Sequence, residues 1–166
     1  ANQTKTEGYD REEVLSKAKG FFGDVSEGLA KAVERAFSDY GAPVGYITGD
    51  EGGGAIAIGL RYGSGTLHRK GQADLPVWWQ GPSIGFDIGG NAAKVFTLIY
   101  GMSNEAQLFQ RFPSVDGSLY IVAGFGLTYQ TTDGVVLAPI RSGVGARAGA
   151  SIGYLHYTRE KHLNPL

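Results

Sequence analysis

The chain contains 166 residues with a formal net charge of −1 at pH 7, and it has 27 glycines but no cysteine. The missing cysteines exclude disulfides and thiolate metal sites, and a hydrophobic fraction of 42% excludes an intrinsically disordered chain. Because the net charge is close to zero, no general electrostatic attraction to nucleic acid is expected. The length suits a single domain that buries one core.

Residues 1–9 lack hydrophobic periodicity and predict a flexible N-terminal segment, and residues 10–166 are expected to form the single domain. A first amphipathic helix is predicted to begin at Asp10, because Asp10 followed by Glu13 has the pattern of a capping box. Gly23 is the predicted end of this helix. Its predicted apolar stripe consists of Val14, Ala18, Phe21 and Phe22.

A second amphipathic helix is predicted up to residue 40. Asp24 or Ser26 is its expected N-cap, and Gly41 stands where a C-terminal glycine is favoured. Its predicted apolar stripe consists of Leu29, Val33, Ala36, Phe37 and Tyr40. Both helices are expected to cover a sheet.

Residues 42–160 change to a hydrophobic period of two, which is typical of strands. Alternating runs at residues 56–62 and 119–129 predict single strands, and Asp133-Gly134 predicts a type I′ hairpin turn. Residues 104–112 interrupt the alternation and predict a short helix. We therefore expect a mainly β protein: a small, soluble, closed antiparallel barrel of about eight strands, with a sandwich as the alternative. Short strands and amphipathic helices favour this over a membrane-spanning barrel.

Glycine recurs every four residues in three segments, which places each set on one face if the segment is a strand. Such glycines permit tight coiling and close approach of other groups. The last set lies in residues 141–157, which are predicted to form a strand whose opposite face is made of small apolar residues. The three sets are Gly41, Gly45 and Gly49; Gly81, Gly85 and Gly89; and Gly145, Gly149 and Gly153.

Motifs for catalysis, metals or cofactors are missing from the sequence. The histidines, His68, His156 and His162, have no metal-ligand spacing. Asp50 and Glu51 precede a glycine run that lacks the lysine of a phosphate loop, and they predict an acidic turn between strands. We therefore expect no cofactor, no metal site and no enzymatic activity.

The segment around the adjacent Trp78 and Trp79 is the most unusual part of the sequence. Since neighbouring strand residues point to opposite faces, one indole is expected to enter the core and the other to pack under a helix or lie exposed. An exposed indole suits a lipid chain, a glycan or a partner protein. Alternatively, Asp87 is expected to form an internal ion pair with Arg141 or Arg147, the arginines of the predicted strands. The candidate ligand- or partner-binding residues are Trp78, Trp79, Gln80, Asp87, Arg61, Arg141 and Arg147.

Long and unusual strings of residues resemble one bacterial family over almost the whole chain, from Tyr9 to Pro165. The most specific are VWWQGPSIGFDIGG and VLAPIRSGVGARAGASIGYLHYTR, with AFSDYGAP, GLRYGSGTL, VDGSLY and GFGLTY between or before them. These strings are similar to the periplasmic family of envelope integrity protein A, EipA. A shorter segment, residues 81–109, resembles the SYLF lipid-binding domains.

The EipA resemblance implies a soluble periplasmic barrel flanked by helices that supports the resistance of the Gram-negative envelope to stress. It also implies that a signal peptide was removed before Ala1. The expected partners are an envelope lipid, a surface polysaccharide or another envelope protein, with no nucleic acid and no transmembrane segment. The alternatives are a SYLF-like lipid-binding module and a glycan-acting enzyme that uses carboxylates from Asp50, Glu51, Asp87 or Asp116.

Overall fold

The structure is a computed structural model that describes residues 8–23, 26–53, 59–83 and 93–161. Within these residues the helices are α1 (Arg11–Phe22) and α2 (Glu27–Tyr40). The strands are β1 (Gly45–Gly53), β2 (Leu60–His68), β3 (Leu75–Pro82), β4 (Ala93–Tyr100), β5 (Arg111–Pro113), β6 (Tyr120–Val122), β7 (Phe125–Leu127), β8 (Gln130–Thr132), β9 (Val135–Ser142) and β10 (Tyr154–Thr158). Short 3-10 helices lie at Glu105–Leu108, Gly143–Gly145 and Ala148–Ser151.

The first helix begins and ends where its sequence predicts. The Asp10 side chain accepts a hydrogen bond from the Glu13 backbone N–H at 2.8 Å, and Glu13 Oε1 accepts one from the Asp10 backbone N–H at 2.9 Å. These reciprocal bonds confirm the capping box, and Gly23 closes the helix in a left-handed conformation. Tyr9 is buried and packs edge-on against Tyr46, so it is not part of a flexible segment. Residues 1–7 of that predicted segment lie outside the described residues.

Ser26 is the N-cap of the second helix, while its alternative Asp24 lies outside the described residues. The Ser26 hydroxyl accepts a hydrogen bond from the Leu29 backbone N–H at 3.3 Å. Gly41 follows the helix and donates its backbone N–H to the Phe37 carbonyl. Tyr40, predicted in the apolar stripe, is the last residue of the helix and is 45% exposed, although one side of its ring packs against Tyr100 and Tyr129.

The strands form one antiparallel sheet in the order β5-β10-β3-β2-β1-β4-β9-β7-β6, and β8 also pairs with β9. The sheet is strongly curled. Tyr157 of β10 shares a hydrogen bond with Thr97 of β4 although three strands separate β10 and β4 in the sheet. This contact is possible only when the inner face of the sheet is concave.

The prediction of a closed barrel of about eight strands is too strong. Ten strands lie within the described residues, and there the ladder is not continuous around the curl. β8 and the end of β5 are joined by a single bridge between Ser114 and Gln130. β5 and β8 have three residues each, which is too short for an extended ladder at the point of closure. The result is a β-barrel-like curled sheet.

Two hydrophobic clusters lie on opposite faces of this sheet. The outer cluster joins both helices to the convex face, and the inner cluster fills the concave side. The outer cluster includes Val14, Ala18, Leu29, Val33, Ala36, Phe96, Leu98, Phe125, Leu127 and Ile140. The inner cluster includes Ile47, Leu67, Val77, Trp79, Ile99, Phe112, Leu137, Leu155 and Tyr157. Both helices therefore cover the sheet from outside, as the sequence predicts.

The predicted strand at residues 119–129 is instead a hairpin of β6 and β7, and β8 starts after it. Ala123 and Gly124 have φ angles of +46° and +88°, so they form a tight turn that the alternating pattern hides. The hairpin turn predicted at Asp133-Gly134 is confirmed between β8 and β9, with φ angles of +49° and +80°. In residues 104–112, only Glu105–Leu108 is helical, and Arg111–Pro113 pairs as a strand.

The predicted strand at residues 141–157 is also wrong over its central part. β9 ends at Ser142, and the two 3-10 helices Gly143–Gly145 and Ala148–Ser151 precede β10. Glycine and alanine dominate this segment and lack the branched and aromatic side chains that stabilise a strand. Gly145 and Gly149 pack closely against Ala93 and Thr128 respectively, so their spacing serves contact between segments rather than one strand face.

The other predicted glycine sets are strand residues only in part, since Gly41 follows α2 and Gly85 and Gly89 lie outside the described residues. Glycines in β1 and β2 make room for the indole of Trp79. A Cβ atom at Gly63 would overlap the indole, and one at Gly49 would lie 2.8 Å from its Cη2 atom. The run at residues 54–58, including Ile56 and Ile58, also lies outside the described residues.

We expect Gly63→Ala to lower the free energy of unfolding by about 1–3 kcal/mol, because the added methyl group overpacks the buried indole. Gly20→Ala in α1 is the matched control, since its added Cβ would contact no other part of the fold within 4 Å. A helix-interior glycine replaced by alanine is expected to stabilise by about 0.5–1 kcal/mol. Urea unfolding of both variants measures the two effects. Equal stability of the variants would contradict this packing.

Candidate functional site

Glu51 lies at the centre of a buried ionic cluster on the concave side of the sheet. Its side chain is fully buried, as are the guanidinium groups of Arg61 and Arg141 to within a few per cent. Glu51 Oε1 accepts hydrogen bonds from Arg61 Nε at 2.8 Å and Arg141 Nε at 2.7 Å. Glu51 Oε2 accepts them from Arg141 Nη2 at 3.0 Å and Trp79 Nε1 at 2.9 Å. We call Glu51, Arg61, Arg141 and Trp79 the Glu51 cluster.

Strand register explains how Trp79 reaches Glu51. Glu51 pairs with Gly63 across β1 and β2, and Gly63 pairs with Trp79 across β2 and β3. Residues paired in this way share a face of the sheet. Because the middle residue has no side chain, the indole lies over Gly63 and its N–H reaches the carboxylate.

Arg141 reaches the same carboxylate from β9, which is separated from β1 by β4. Its Nη1 atom also lies 3.4 Å from the Thr128 hydroxyl, which accepts a long hydrogen bond. A Cβ atom at Gly149 would lie 3.1 Å from this Nη1 atom, so the 3-10 segment after β9 covers the guanidinium closely. The glycines of residues 143–149 therefore help to enclose the Glu51 cluster.

The charges within the cluster determine the ionisation of Glu51. Burial raises the pKa of its carboxyl group, but the charges and hydrogen bonds of Arg141 and Arg61 outweigh burial and lower the pKa to about 2. Burial also raises the pKa of the neighbouring Tyr157 hydroxyl, and the negative charge of Glu51 raises it further. At neutral pH Glu51 is therefore an anion and Tyr157 is neutral.

This arrangement suits a structural ion cluster better than acid–base chemistry. A general acid or base at neutral pH needs a pKa near 7 and access to a substrate proton. Glu51 has a pKa near 2, and both of its oxygens already accept two hydrogen bonds. What the geometry provides is a cross-link between β1, β2, β3 and β9.

The carboxylates named for the alternative, a glycan-acting enzyme, occupy different environments. Asp50 and Glu51 are strand residues of β1 rather than an acidic turn, so their side chains point to opposite faces. Asp50 is exposed outside and Glu51 is buried inside, while Asp116 lies in an exposed turn before β6. Asp87, also the predicted partner of Arg141 or Arg147, lies outside the described residues.

The two tryptophans divide as the sequence predicts. Trp79 points into the concave core, and Trp78 is partly exposed on the convex face. Gln80 is buried on that convex face, where it pairs with Tyr62 on one side and His156 on the other. Of the predicted site residues, the structure therefore brings Trp79, Arg61 and Arg141 together and places Trp78 and Gln80 on the opposite face.

Arg147 is exposed between the two 3-10 helices that follow β9, and it has no role in the Glu51 cluster. Glu51, like Asp50, was wrongly predicted to lie in a turn. The sequence pattern that could have identified Glu51 as a buried strand residue is the spacing of two between Ile47, Gly49 and Glu51. In a strand this spacing places the carboxylate on the same face as the apolar Ile47.

Among residues 8–23, 26–53, 59–83 and 93–161, no group of three or more histidines or acidic residues is placed to hold a metal ion. Those residues likewise contain no helix with the length and apolar character needed to cross a membrane. The protein is therefore β-barrel-like. One curled sheet has the two helices on its convex face, and its concave side is filled by the inner cluster and the Glu51 cluster.

The family model for EipA, Envelope integrity protein A, matches residues 7–166, and the chain belongs to this family. Its structure is similar to the crystal structure of a β-barrel-like, uncharacterised protein from Brucella abortus. The two chains are 44% identical, with a TM-score of 0.89 over 97% of this chain and 100% of the other. The comparison with curated proteins gave no match. The family and the β-barrel-like fold inferred from the sequence are confirmed.

We expect Glu51→Gln to lower the free energy of unfolding at pH 7 by about 3–5 kcal/mol, because it leaves buried guanidinium groups without their counter-charge. The pKa of Glu51 is lower in the folded chain than its ordinary value of 4.5. The carboxylate therefore stabilises the fold above about pH 4.5, and this stabilisation is lost as the pH falls towards 2.

The difference in stability between the wild type and Glu51→Gln should accordingly shrink between pH 4.5 and pH 2. Urea unfolding across this range measures it, with Glu13→Gln as the control. Glu13 also has a lowered pKa, chiefly through its hydrogen bond with the Asp10 backbone, but it lies at the surface. A pH-independent difference for Glu51→Gln would show that the carboxylate is not ionised in the fold.

Proposed function

We propose that this protein is a non-catalytic, soluble periplasmic component that maintains the integrity of the Gram-negative envelope by contacting another envelope constituent. Membership of the EipA family supports the role in envelope integrity. The contact is with a lipid, a surface polysaccharide or a protein of the envelope.

The non-catalytic part of this proposal rests on one observation: both carboxylate oxygens of Glu51 already accept hydrogen bonds from neighbouring side chains. Glu51 is the buried carboxylate of the described chain, and Arg61, Arg141 and Trp79 occupy its oxygens. Removing a proton from a substrate would require at least one of these charged hydrogen bonds to break inside the core. Each such bond contributes about 1.5–3 kcal/mol, so catalysis would act against the stability of the fold.

The filled inner cluster supports an external contact. Large side chains such as Trp79, Phe112 and Tyr157 occupy the concave side and contact one another. An acyl chain or a sugar bound there would have to displace them. The convex face and the chain's other exposed surfaces are therefore the better places for a partner, and the SYLF-like alternative requires a lipid site on the outside.

Deletion of the encoding gene is expected to lower survival on detergent and on envelope-active antibiotics. The wild-type protein and Asp116→Asn should both restore it. Asparagine keeps a polar side chain of the same size but cannot act as a general acid, base or nucleophile. Plating efficiency measures the effect, with immunoblots to confirm equal amounts of each variant.

A deletion strain as resistant as the wild type would contradict the envelope role. Failure of Asp116→Asn at normal protein levels would instead favour the carboxylate enzyme. The two results are distinguishable because the first concerns the whole gene and the second only one acidic group.

A further inference from the structure

Part of the convex face carries a row of side chains that continues across four strands. Asp50 of β1 pairs with Ser64 of β2, Ser64 pairs with Trp78 of β3, and Trp78 pairs with Thr158 of β10. Cross-strand partners point to the same face, so these four side chains lie side by side. We call them the Trp78 row.

The Trp78 row is accessible from solvent. Asp50 and Ser64 are exposed, and Trp78 and Thr158 are partly exposed. The neighbouring rows add Pro76, which is exposed, and Tyr62, which is partly exposed. The helices lie elsewhere on this face, because their core contacts are with residues of β4, β7 and β9 and with Tyr46 at the start of β1.

The chemistry of the row matches a sugar chain. A pyranose ring has an apolar face of C–H groups and a rim of hydroxyls, and an indole offers a broad apolar surface of similar size. The Ser64 hydroxyl can donate and accept hydrogen bonds. The Thr158 hydroxyl donates its proton to the Glu160 carbonyl at 2.7 Å and can accept from a sugar hydroxyl, as can the carboxylate of Asp50. An extended sheet surface also lets successive sugars of a chain lie along the row.

Charge and polarity distinguish this surface from a lipid or protein site. The cation opposite Asp50, Lys94, donates a hydrogen bond to the Phe21 carbonyl at 2.9 Å and lies over the Phe21 ring, so it is held against α1. The exposed carboxylate of Asp50 repels anionic lipid headgroups. The row places its single aromatic ring between two hydroxyls, so it offers no continuous apolar patch for an acyl chain or a protein core.

We propose that the Trp78 row binds a polysaccharide of the envelope, with Trp78 stacking on a sugar ring and Asp50, Ser64 and Thr158 hydrogen-bonding its hydroxyls. This inference rests on the proposed function and specifies its partner. It assigns a binding role to Trp78 that Trp79, its buried neighbour, does not share.

Titration of the purified chain with lipid-free polysaccharide, released by mild acid from Gram-negative lipopolysaccharide, tests the proposal. We expect Trp78→Ala to weaken binding by about tenfold or more, and Trp78→Tyr to retain most of it because an aromatic face remains. Tyr40→Ala is the matched control, an exposed aromatic at the end of α2. Calorimetry measures affinity, and thermal unfolding confirms that each variant is folded.

Equal affinity of the wild type and folded Trp78→Ala would overturn the proposal. So would Trp78-dependent binding to phosphatidylglycerol vesicles with no binding to the polysaccharide, since that result would assign the row to lipid.

The complementation assay separates this inference from the proposed function. If deletion sensitises the cells and Trp78→Ala restores resistance fully, the glycan surface is wrong and the envelope role stands. If deletion has no effect, the proposed function itself fails. If Trp78→Ala fails to complement at normal protein levels while Tyr40→Ala succeeds, both proposals are supported.

Discussion

A carboxylate enclosed by two guanidinium groups and an indole N–H connects the strands of this protein from the inside. Glu51 of β1 bonds to Arg61 of β2, Trp79 of β3 and Arg141 of β9. Such a buried charge is costly unless every partner is in place, so the cluster permits one register of these strands and penalises others. Between β5 and β8 the described residues form one isolated bridge rather than an extended ladder, so the Glu51 cluster adds side-chain bonds to a sheet whose backbone closure is short.

On β1 and β3, adjacent residues point to opposite faces of the sheet, one to the buried Glu51 cluster and the other to solvent. Glu51 and Trp79 point inward to the cluster, whereas Asp50 and Trp78, one residue before each, point outward to the Trp78 row. The period of two therefore gives one pair of strands both a saturated ionic interior and a polar, partly aromatic exterior. Gly63 serves the interior by leaving space for the indole.

Local signals made the helices and one hairpin predictable. The capping box of Asp10 and Glu13 and the turn at Asp133-Gly134 each depend on a few adjacent residues. The turn at Ala123-Gly124 was hidden because alternation continues across it. The inward direction of Trp79 could not be predicted, since it depends on pairing with Gly63 sixteen residues away. Arg141 could be identified as a candidate, but its partner Glu51 is set by the arrangement of three strands.

A double-mutant cycle between Glu51 and Arg141 tests most directly whether this interaction supports the fold. Urea unfolding at pH 7 of the wild type, Glu51→Gln, Arg141→Gln and the double variant yields the coupling free energy between the two side chains. A buried, doubly hydrogen-bonded ion pair predicts a coupling of at least about 1 kcal/mol. Additive losses, with a coupling near zero, would contradict the view that the Glu51 cluster holds the sheet together.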